Sequence, residues 1–235
     1  MSRRAQIEHR LVTLLSRVGL KGALLAVPGG YLRASGWIRS ARARRPVDAA
    51  GLSQPWLTMP AVAFLDERLS QEMSLFEYGS GGSTAWYGRR VASVTAVEHN
   101  RHWFDEIRND LSSNVDLVFC QADQPGEFLD LVFRPLGNPL DYALAIDNAE
   151  LATYPNVVII DGVDRLNCIG VVVERAPAET VIVVDNLEYA KELEPAIQLL
   201  HERGYRRLDF WGVAPGELRL SDTAVFYRSE NCLGI

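Results

Sequence analysis

From residue 73 onward, short apolar runs alternate with longer stretches whose apolar residues recur at helical spacing. The runs predict strands at 74–78, 91–98, 116–121, 157–161 and 181–185. The longer stretches predict helices at 85–90, 99–111, 141–148, 166–176 and 193–203, although the three consecutive valines from 171 disfavour the fourth locally. This alternation is typical of a doubly wound α/β sheet with parallel strands.

The end of the chain breaks that alternation. After Gly204, two strand-like runs at 207–211 and 223–228 are joined by a loop that contains Pro and Gly, and no crossover helix fits between them. Two strands connected in this way are expected to pair antiparallel. The predicted fold class is therefore a Rossmann-like, doubly wound α/β sheet, mostly parallel, with a C-terminal antiparallel hairpin.

The beginning of the chain has its own charge and pattern. Residues 1–45 carry a net charge of +9, whereas the whole chain carries −6. Apolar residues at helical spacing predict a basic amphipathic helix at about 5–26, which we assign to an N-terminal appendage at 1–45, ahead of one domain at 46–235. Arg17 and Lys21 interrupt the apolar run, so a membrane-spanning helix is not expected. The helix is suited to peripheral contact with an anionic membrane, to covering a cleft, to pairing with a second subunit or to packing on its own acidic domain.

Composition sets further expectations. The three cysteines, Cys120, Cys168 and Cys232, are too far apart in sequence for a C-x-x-C motif, which favours a reducing cytoplasm. Basic residues are not interleaved with stacking aromatics, and the domain is acidic, so nucleic acid is not expected as a partner. Residues 34–60 are interpreted as a linker, followed by a short helix at 61–69. Trp56 within the linker is expected to pack in the core, the alternative being a cap on the ligand pocket.

The turn after the first strand is the most informative motif, with the sequence Phe76-Glu77-Tyr78-Gly79-Ser80-Gly81-Gly82-Ser83-Thr84. Glycines let a ligand approach the backbone, and the following helix N-terminus supplies free N–H groups. Glu98, at the end of the second strand, can accept hydrogen bonds from ribose hydroxyls. This order of strand, glycine turn, helix, strand and acid predicts a site for an adenosine-bearing ligand. A nicotinamide fingerprint would need a third glycine where Thr84 stands.

The turn resembles the acid-x-Gly-x-Gly-x-Gly motif of class I S-adenosylmethionine-dependent methyltransferases. Glu77, Gly79 and Gly81 match, and Ser83 stands in place of the last glycine. The C-terminal antiparallel hairpin also distinguishes that family. From Pro46 onward the chain further resembles a group of bacterial methyltransferase-like proteins without an assigned acceptor, through landmarks such as Pro55-Trp56, Val97-Glu98-His99, Ile160-Asp161-Gly162, Asn167-Cys168, Val184-Asp185-Asn186 and Asn231-Cys232.

The resemblance implies S-adenosylmethionine as cofactor and assigns its contacts. Glu77 is expected at the methionine ammonium group, Glu98 at the ribose, His99 beside the adenine, and Asp123 at the adenine amino group. Asp123 is equally suited to a turn, and Trp103 is expected to pack in the core rather than stack on the adenine. The predicted cofactor-binding residues are Glu77, Tyr78, Gly79, Ser80, Gly81, Ser83, Thr84, Glu98, His99 and Asp123.

The acceptor side is expected at the ends of the fourth and fifth strands, where Asp161 and Asp185 face the ligand crevice. This pair resembles that of cation-dependent catechol-type O-methyltransferases, which implies Mg²⁺ held by Asp161, Asp185 and Asn186. That subgroup has a lysine where this chain has Asp164, which is followed by Arg165. The predicted catalytic residues are Asp161 and Asp164 as candidate bases and Arg165 as an orienting group.

These features predict a methyltransferase enzyme that transfers a methyl group to an oxygen or nitrogen of a small-molecule acceptor. A non-catalytic binding protein of the same fold is one alternative, because Ser83 and Asp164 depart from the pattern. A nicotinamide-dependent oxidoreductase is the other, but the chain has no Tyr-x-x-x-Lys pair.

Overall fold

The structure, a computed structural model, describes residues 29–122 and 127–235. The predicted helix at 5–26 and Asp123 lie outside these residues. Seven strands form one sheet in the described part of the chain, and they are β1 Ser74–Tyr78, β2 Ser93–Glu98, β3 Val115–Phe119, β4 Val157–Ile160, β5 Val181–Asp185, β6 Arg206–Val213 and β7 Leu220–Tyr227.

Helices connect or flank these strands. They are α1 Tyr31–Ala34, α2 Trp37–Ala43, α3 Met59–Arg68, α4 Gly82–Gly88, α5 Arg101–Ile107, α6 Phe128–Val132, α7 Ala145–Asn148, α8 Arg165–Arg175 and α9 Ala190–Glu202. Short 3₁₀ turns at Arg108–Asp110 and Leu187–Tyr189 follow α5 and β5. The valines of α8 do not prevent its formation, because burial against the sheet outweighs their weak helical propensity.

The strand order is β3-β2-β1-β4-β5-β7-β6. The first five strands pair in parallel, and β7 lies antiparallel between β5 and β6. The predicted mixed sheet with an antiparallel C-terminal pair is therefore confirmed. The strand order reverses at β1, so the carboxyl ends of β1, β2 and β4 meet at the switch point where open α/β sheets bind ligands.

The sheet separates two buried clusters of apolar residues. Phe76 and Tyr78 of β1 belong to one cluster, together with buried apolar residues of α8 and α9. Leu75 belongs to the other, which contains residues of α3 and α4 such as Trp86. Because side chains alternate along a strand, Glu77 shares the face of Leu75 and lies beneath α4.

The interpretation of residues 34–60 as a linker is wrong in part. The segment forms α2, and the Ser40 hydroxyl holds it by donating to the Val47 carbonyl at 2.8 Å while accepting from the Val47 N–H at 2.9 Å. Trp37 Nε1 donates to the Glu217 carbonyl at 2.7 Å, which joins the segment to the β6–β7 connection. Trp56 is 48% exposed, so the expected core packing is also wrong.

None of the helices within 29–122 and 127–235 combines the length and the apolar character that a membrane span requires.

Candidate active site

The turn after β1 brings three strand ends together. Gly79 has φ of +92°, and a Cβ atom at this position would lie 2.7 Å from the Gly162 Cα just beyond β4. The Gly79 N–H donates to the Val97 carbonyl of β2 at 3.0 Å. A side chain at position 79 would therefore be strained and would collide with backbone, so this position requires glycine.

Glu77 is fully buried under the turn. Its Oε1 accepts a hydrogen bond from the Ser83 hydroxyl, and its Oε2 accepts from Thr84 Oγ1 at 2.6 Å. Thr84 Oγ1 in turn accepts from the Gly81 N–H at 2.9 Å. Burial raises the pKa of Glu77 to about 8, although the two hydroxyl donors favour its ionised form. The carboxyl group thus fastens the strand to the first turn of α4, and its predicted contact with an ammonium group stays a prediction.

Glu98 is held at the end of β2 by three donors. Its Oε2 accepts from the Ser80 hydroxyl at 2.8 Å and from the Ser80 N–H at 3.2 Å, and its Oε1 accepts from the Asn100 N–H at 2.7 Å. His99 Nδ1 lies 3.2 Å from Oε1. Burial favours the neutral acid, but these neighbours outweigh it and lower the pKa of Glu98. The result is an ionised, oriented acceptor beside the glycine turn.

Trp103 covers the turn from outside. Its Nε1 donates to the Ser80 carbonyl at 2.8 Å, and the residue is 39% exposed. The expectation that Trp103 packs in the core is therefore wrong. An open cavity of about 600 Å³ lies nearby at the ends of β2 and β3, and it is lined by His99, Asn100, Arg101, His102, Phe119 and Gln121. His99 thus lines a space next to Glu98, on the side where the adenine was predicted.

Tyr78 does not face this space. Its side chain is fully buried, and its hydroxyl donates to the Ala143 carbonyl at 2.8 Å. Its ring contacts Tyr142, which falls within the helix predicted at 141–148, whereas the structure begins that helix at Ala145. Sequence reasoning missed Tyr142 as a site residue because no motif marks that position.

The acceptor-side residues are organised by Arg165, which is almost fully buried. Its guanidinium group donates to Asp161 Oδ1 at 2.9 Å, to the Gly162 carbonyl at 2.9 Å and to the Asp185 carbonyl. These contacts join the ends of β4 and β5. The orienting role of Arg165 toward an acceptor stays a prediction, and Asp161 keeps a quarter of its side chain exposed.

Both acids at these strand ends are protonated more readily than usual. Burial and the neighbouring charge of Asp161 raise the pKa of Asp185 to about 8, although Arg165 and the Thr223 hydroxyl oppose that change. Burial also raises the pKa of Asp161, against the attraction of Arg165. A carboxyl group in this environment can exchange a proton closer to neutral pH.

The predicted Mg²⁺ site is not supported. Arg165 already places a positive charge between Asp161 and Asp185, and the Asn186 amide nitrogen is directed at Glu188 and Ser221. No group of three or more His, Cys, Asp or Glu side chains in the described ranges is arranged to hold a metal ion. The donor set therefore does not fit a divalent cation.

Asp164 has a structural role. It is fully buried, with φ of +52°, and its oxygens accept from the Asn167 amide at 2.7 Å and from the Leu140 N–H at 2.9 Å. Arg134 Nε lies 3.5 Å from its Oδ1. Asp164 thus secures the loop before α7 and does not reach the crevice as a base.

Comparisons with known proteins show the fold. No protein-family model and no curated protein matches the chain. A candidate O-methyltransferase from Klebsiella pneumoniae is 14% identical, with 95% of this chain and 96% of that chain covered and a TM-score of 0.50. A candidate methyltransferase from Streptococcus mutans, solved in complex with S-adenosylhomocysteine, is 9% identical, with coverages of 70% and 93% and a TM-score of 0.45.

The comparisons also correct one prediction. An rRNA methylase from Streptococcus thermophilus is 14% identical, with 72% of this chain and 96% of that chain covered and a TM-score of 0.44. Proteins of similar fold thus include enzymes named for acting on RNA, so the exclusion of nucleic acid as a partner is wrong. The mixed seven-stranded sheet with its antiparallel last pair and the likeness to the solved O-methyltransferase show the fold: the chain has the fold of class I S-adenosylmethionine-dependent methyltransferases.

Proposed function

We propose that the chain is a methyltransferase that uses S-adenosylmethionine and methylates an oxygen or nitrogen of a small-molecule acceptor. The observation that carries the proposal is Glu98, an ionised carboxylate that three donors orient beside a turn that requires glycine. The pair lies at the switch point of the sheet, and open α/β sheets bind their ligands at such a point, which supports the proposal.

On the donor side, each residue has a defined task. Gly79 lets a ligand lie against the backbone, and Glu98 accepts hydrogen bonds from ribose hydroxyls, which compete with the Ser80 hydroxyl for Oε2. Glu77 acts indirectly, because its hydrogen bonds to Ser83 and Thr84 fix the start of α4. The bound cofactor would supply an activated methyl group on a sulfonium, so the protein contributes mainly proximity and orientation.

On the acceptor side, Asp161 is the proposed general base. Arg165 holds its Oδ1, which presents Oδ2 to an acceptor hydroxyl or amine. The raised pKa of Asp161 suits a base that takes a proton near neutral pH. Arg165 itself is a positioning residue, because its donors are directed at Asp161 and at backbone carbonyls.

Titration calorimetry tests the donor assignment. The wild-type chain should bind S-adenosylhomocysteine and not NAD, and Glu98→Gln should weaken that binding by about tenfold or more, since one accepting oxygen becomes a donor. Glu106→Gln, an exposed glutamate on the neighbouring helix, is the matched control and should bind as the wild type does. Binding of NAD alone, or unchanged affinity in the Glu98 variant, would refute the assignment.

Methyl transfer is then tested with radiolabelled S-adenosylmethionine and a panel of phenols, catechols, amines and RNA. Label on a phenol or an amine supports the proposed acceptor class. Label on RNA alone would move the acceptor to nucleic acid, and binding without transfer would favour the non-catalytic alternative.

A further inference from the structure

We propose that Tyr142 is a ligand-binding residue of the donor site, whose hydroxyl bonds to the amino-acid end of the bound S-adenosyl compound. The proposal rests on the proposed function and extends it to a residue in the loop before α7. Tyr142 lies among residues of three strand ends, with its ring centroid 5.7 Å from that of Tyr78 and 5.9 Å from that of His99.

The Tyr142 hydroxyl is buried without a hydrogen-bond partner among the residues that the structure describes. An unsatisfied buried hydroxyl is costly, and native structures seldom keep one without a reason. The neighbouring Tyr78 shows the usual solution, because its hydroxyl donates to the Ala143 carbonyl. Tyr142 therefore carries a polar group that the described residues leave without a hydrogen bond.

The position of that hydroxyl indicates which part of a ligand it meets. A Cβ atom on Gly162 would lie 2.0 Å from the Tyr142 hydroxyl and 3.0 Å from the Gly79 nitrogen. The hydroxyl is thus at the contact between β1 and β4, one strand beyond Glu98 along the carboxyl edge of the sheet. A ligand whose ribose lies at Glu98 extends its other end to this contact.

The absence of a side chain at Gly162 makes room for the Tyr142 hydroxyl. The hydroxyl is enclosed by the backbone of Gly162, so a ligand reaches it only after a small shift of that segment. Two glycines in contact allow such a shift with little steric cost. The phenol can then donate to a carboxylate or accept from an ammonium group, both of which an amino-acid end provides.

The test compares Tyr142→Phe with Tyr87→Phe. Tyr87 is the matched control, because it is also fully buried with an unpartnered hydroxyl in the described structure, but it lies in the cluster on the other face of the sheet. Calorimetry should show S-adenosylhomocysteine binding about five- to tenfold weaker in Tyr142→Phe and unchanged in Tyr87→Phe. Binding of 5′-methylthioadenosine, which lacks the amino-acid end, should be unchanged in both.

Thermal unfolding without ligand completes the test. Neither phenylalanine variant should melt below the wild type, because each removes only an unpartnered hydroxyl. If the wild type binds S-adenosylhomocysteine and Tyr142→Phe binds it with the same affinity, the inference alone is overturned. Equal losses of affinity for both ligands, or equal losses in both variants, would also overturn it. A lower melting temperature for Tyr142→Phe would also overturn it, by showing a partner within the protein. Failure of the wild type to bind S-adenosylhomocysteine would instead overturn the proposed function, and the inference with it.

Discussion

The surroundings of Glu77 predict how the stability of the protein depends on pH, because its buried carboxyl group is hydrogen-bonded by two hydroxyls and not paired with a cation among the described residues. Burial raises its pKa from an ordinary value of 4.5 to about 8. In the folded chain it therefore holds a proton that the unfolded chain releases above about pH 4.5. The stability that this proton confers is complete below that pH and is lost as the pH rises through 8.

The size of the effect follows from linkage. Each pH unit between the two values costs about 1.4 kcal/mol of unfolding free energy, so Glu77 removes about 2 to 3 kcal/mol between pH 6 and pH 8. Glu77→Gln removes this dependence, because the amide does not titrate. Its second N–H has no counterpart in the protonated acid, which costs about 1 kcal/mol.

The variant should therefore be the less stable protein at pH 5 and the more stable one at pH 8. Urea unfolding followed by tryptophan fluorescence measures the free energy of unfolding at both pH values, since Trp86 is buried beside α3 and β1. Asp185 and Asp222, whose pKa values burial raises to about 8 and about 6, contribute to both curves and cancel in the difference. Glu72→Gln, an exposed glutamate close in sequence, is the control and should follow the wild type.

Parallel stability curves for the wild type and Glu77→Gln from pH 5 to pH 8 would refute this reasoning. They would mean that Glu77 is ionised in the folded chain, with a cation or a water-filled space beside it. Glu77 would then be available for the ammonium contact that the sequence suggested.

Two further substitutions test the backbone of the site. Gly79→Ala should lose about 2 to 5 kcal/mol of stability, because it adds left-handed strain to a collision with Gly162. Gly204→Ala has open space around the new methyl group, so strain alone should lower its stability, by about 1 to 2 kcal/mol. Equal losses in thermal unfolding would argue against the close contact. Arg165→Lys should cost about 2 to 4 kcal/mol in urea unfolding, since one ammonium group cannot reach all the carbonyls that the guanidinium joins. The exposed Arg203→Lys is its control, and a similar small change in both would contradict the proposed clamp.

Most of the sheet could be predicted from the sequence, because parallel strands that are buried on both faces consist of continuous apolar runs. The predicted limits of β1 and β5 match the structure, and the others differ by a few residues at their ends. The segment at 37–43 could not be recognised, because Ser40 is its only buried residue and its stability comes from contacts with Val47 and Glu217. Such contacts depend on the tertiary structure and leave no periodic pattern.

The burial of aromatic side chains was predicted poorly for a related reason. Trp56 and Trp103 were assigned to the core because aromatic side chains usually pack there, and both are substantially exposed. The Trp103 ring is held by one hydrogen bond to the Ser80 carbonyl, which apolar periodicity does not indicate. Tyr142 shows the opposite case, since it stands in a loop without a motif and is fully buried.

The acids show which part of a site a motif can specify. Glu77 and Glu98 were both expected to contact a ligand, because Glu77 stands two residues before the first glycine and Glu98 ends the second strand. Strand alternation separates them: Glu77 has the parity of Leu75, which directs its carboxyl beneath α4 to Ser83 and Thr84. Glu98 ends β2 at the carboxyl edge of the sheet, where it accepts hydrogen bonds from the turn, and the neighbouring His99 lines a cavity. The motif therefore indicates where a site is expected, and the direction of each side chain decides whether an acid is available to the proposed ligand or is used to support the turn.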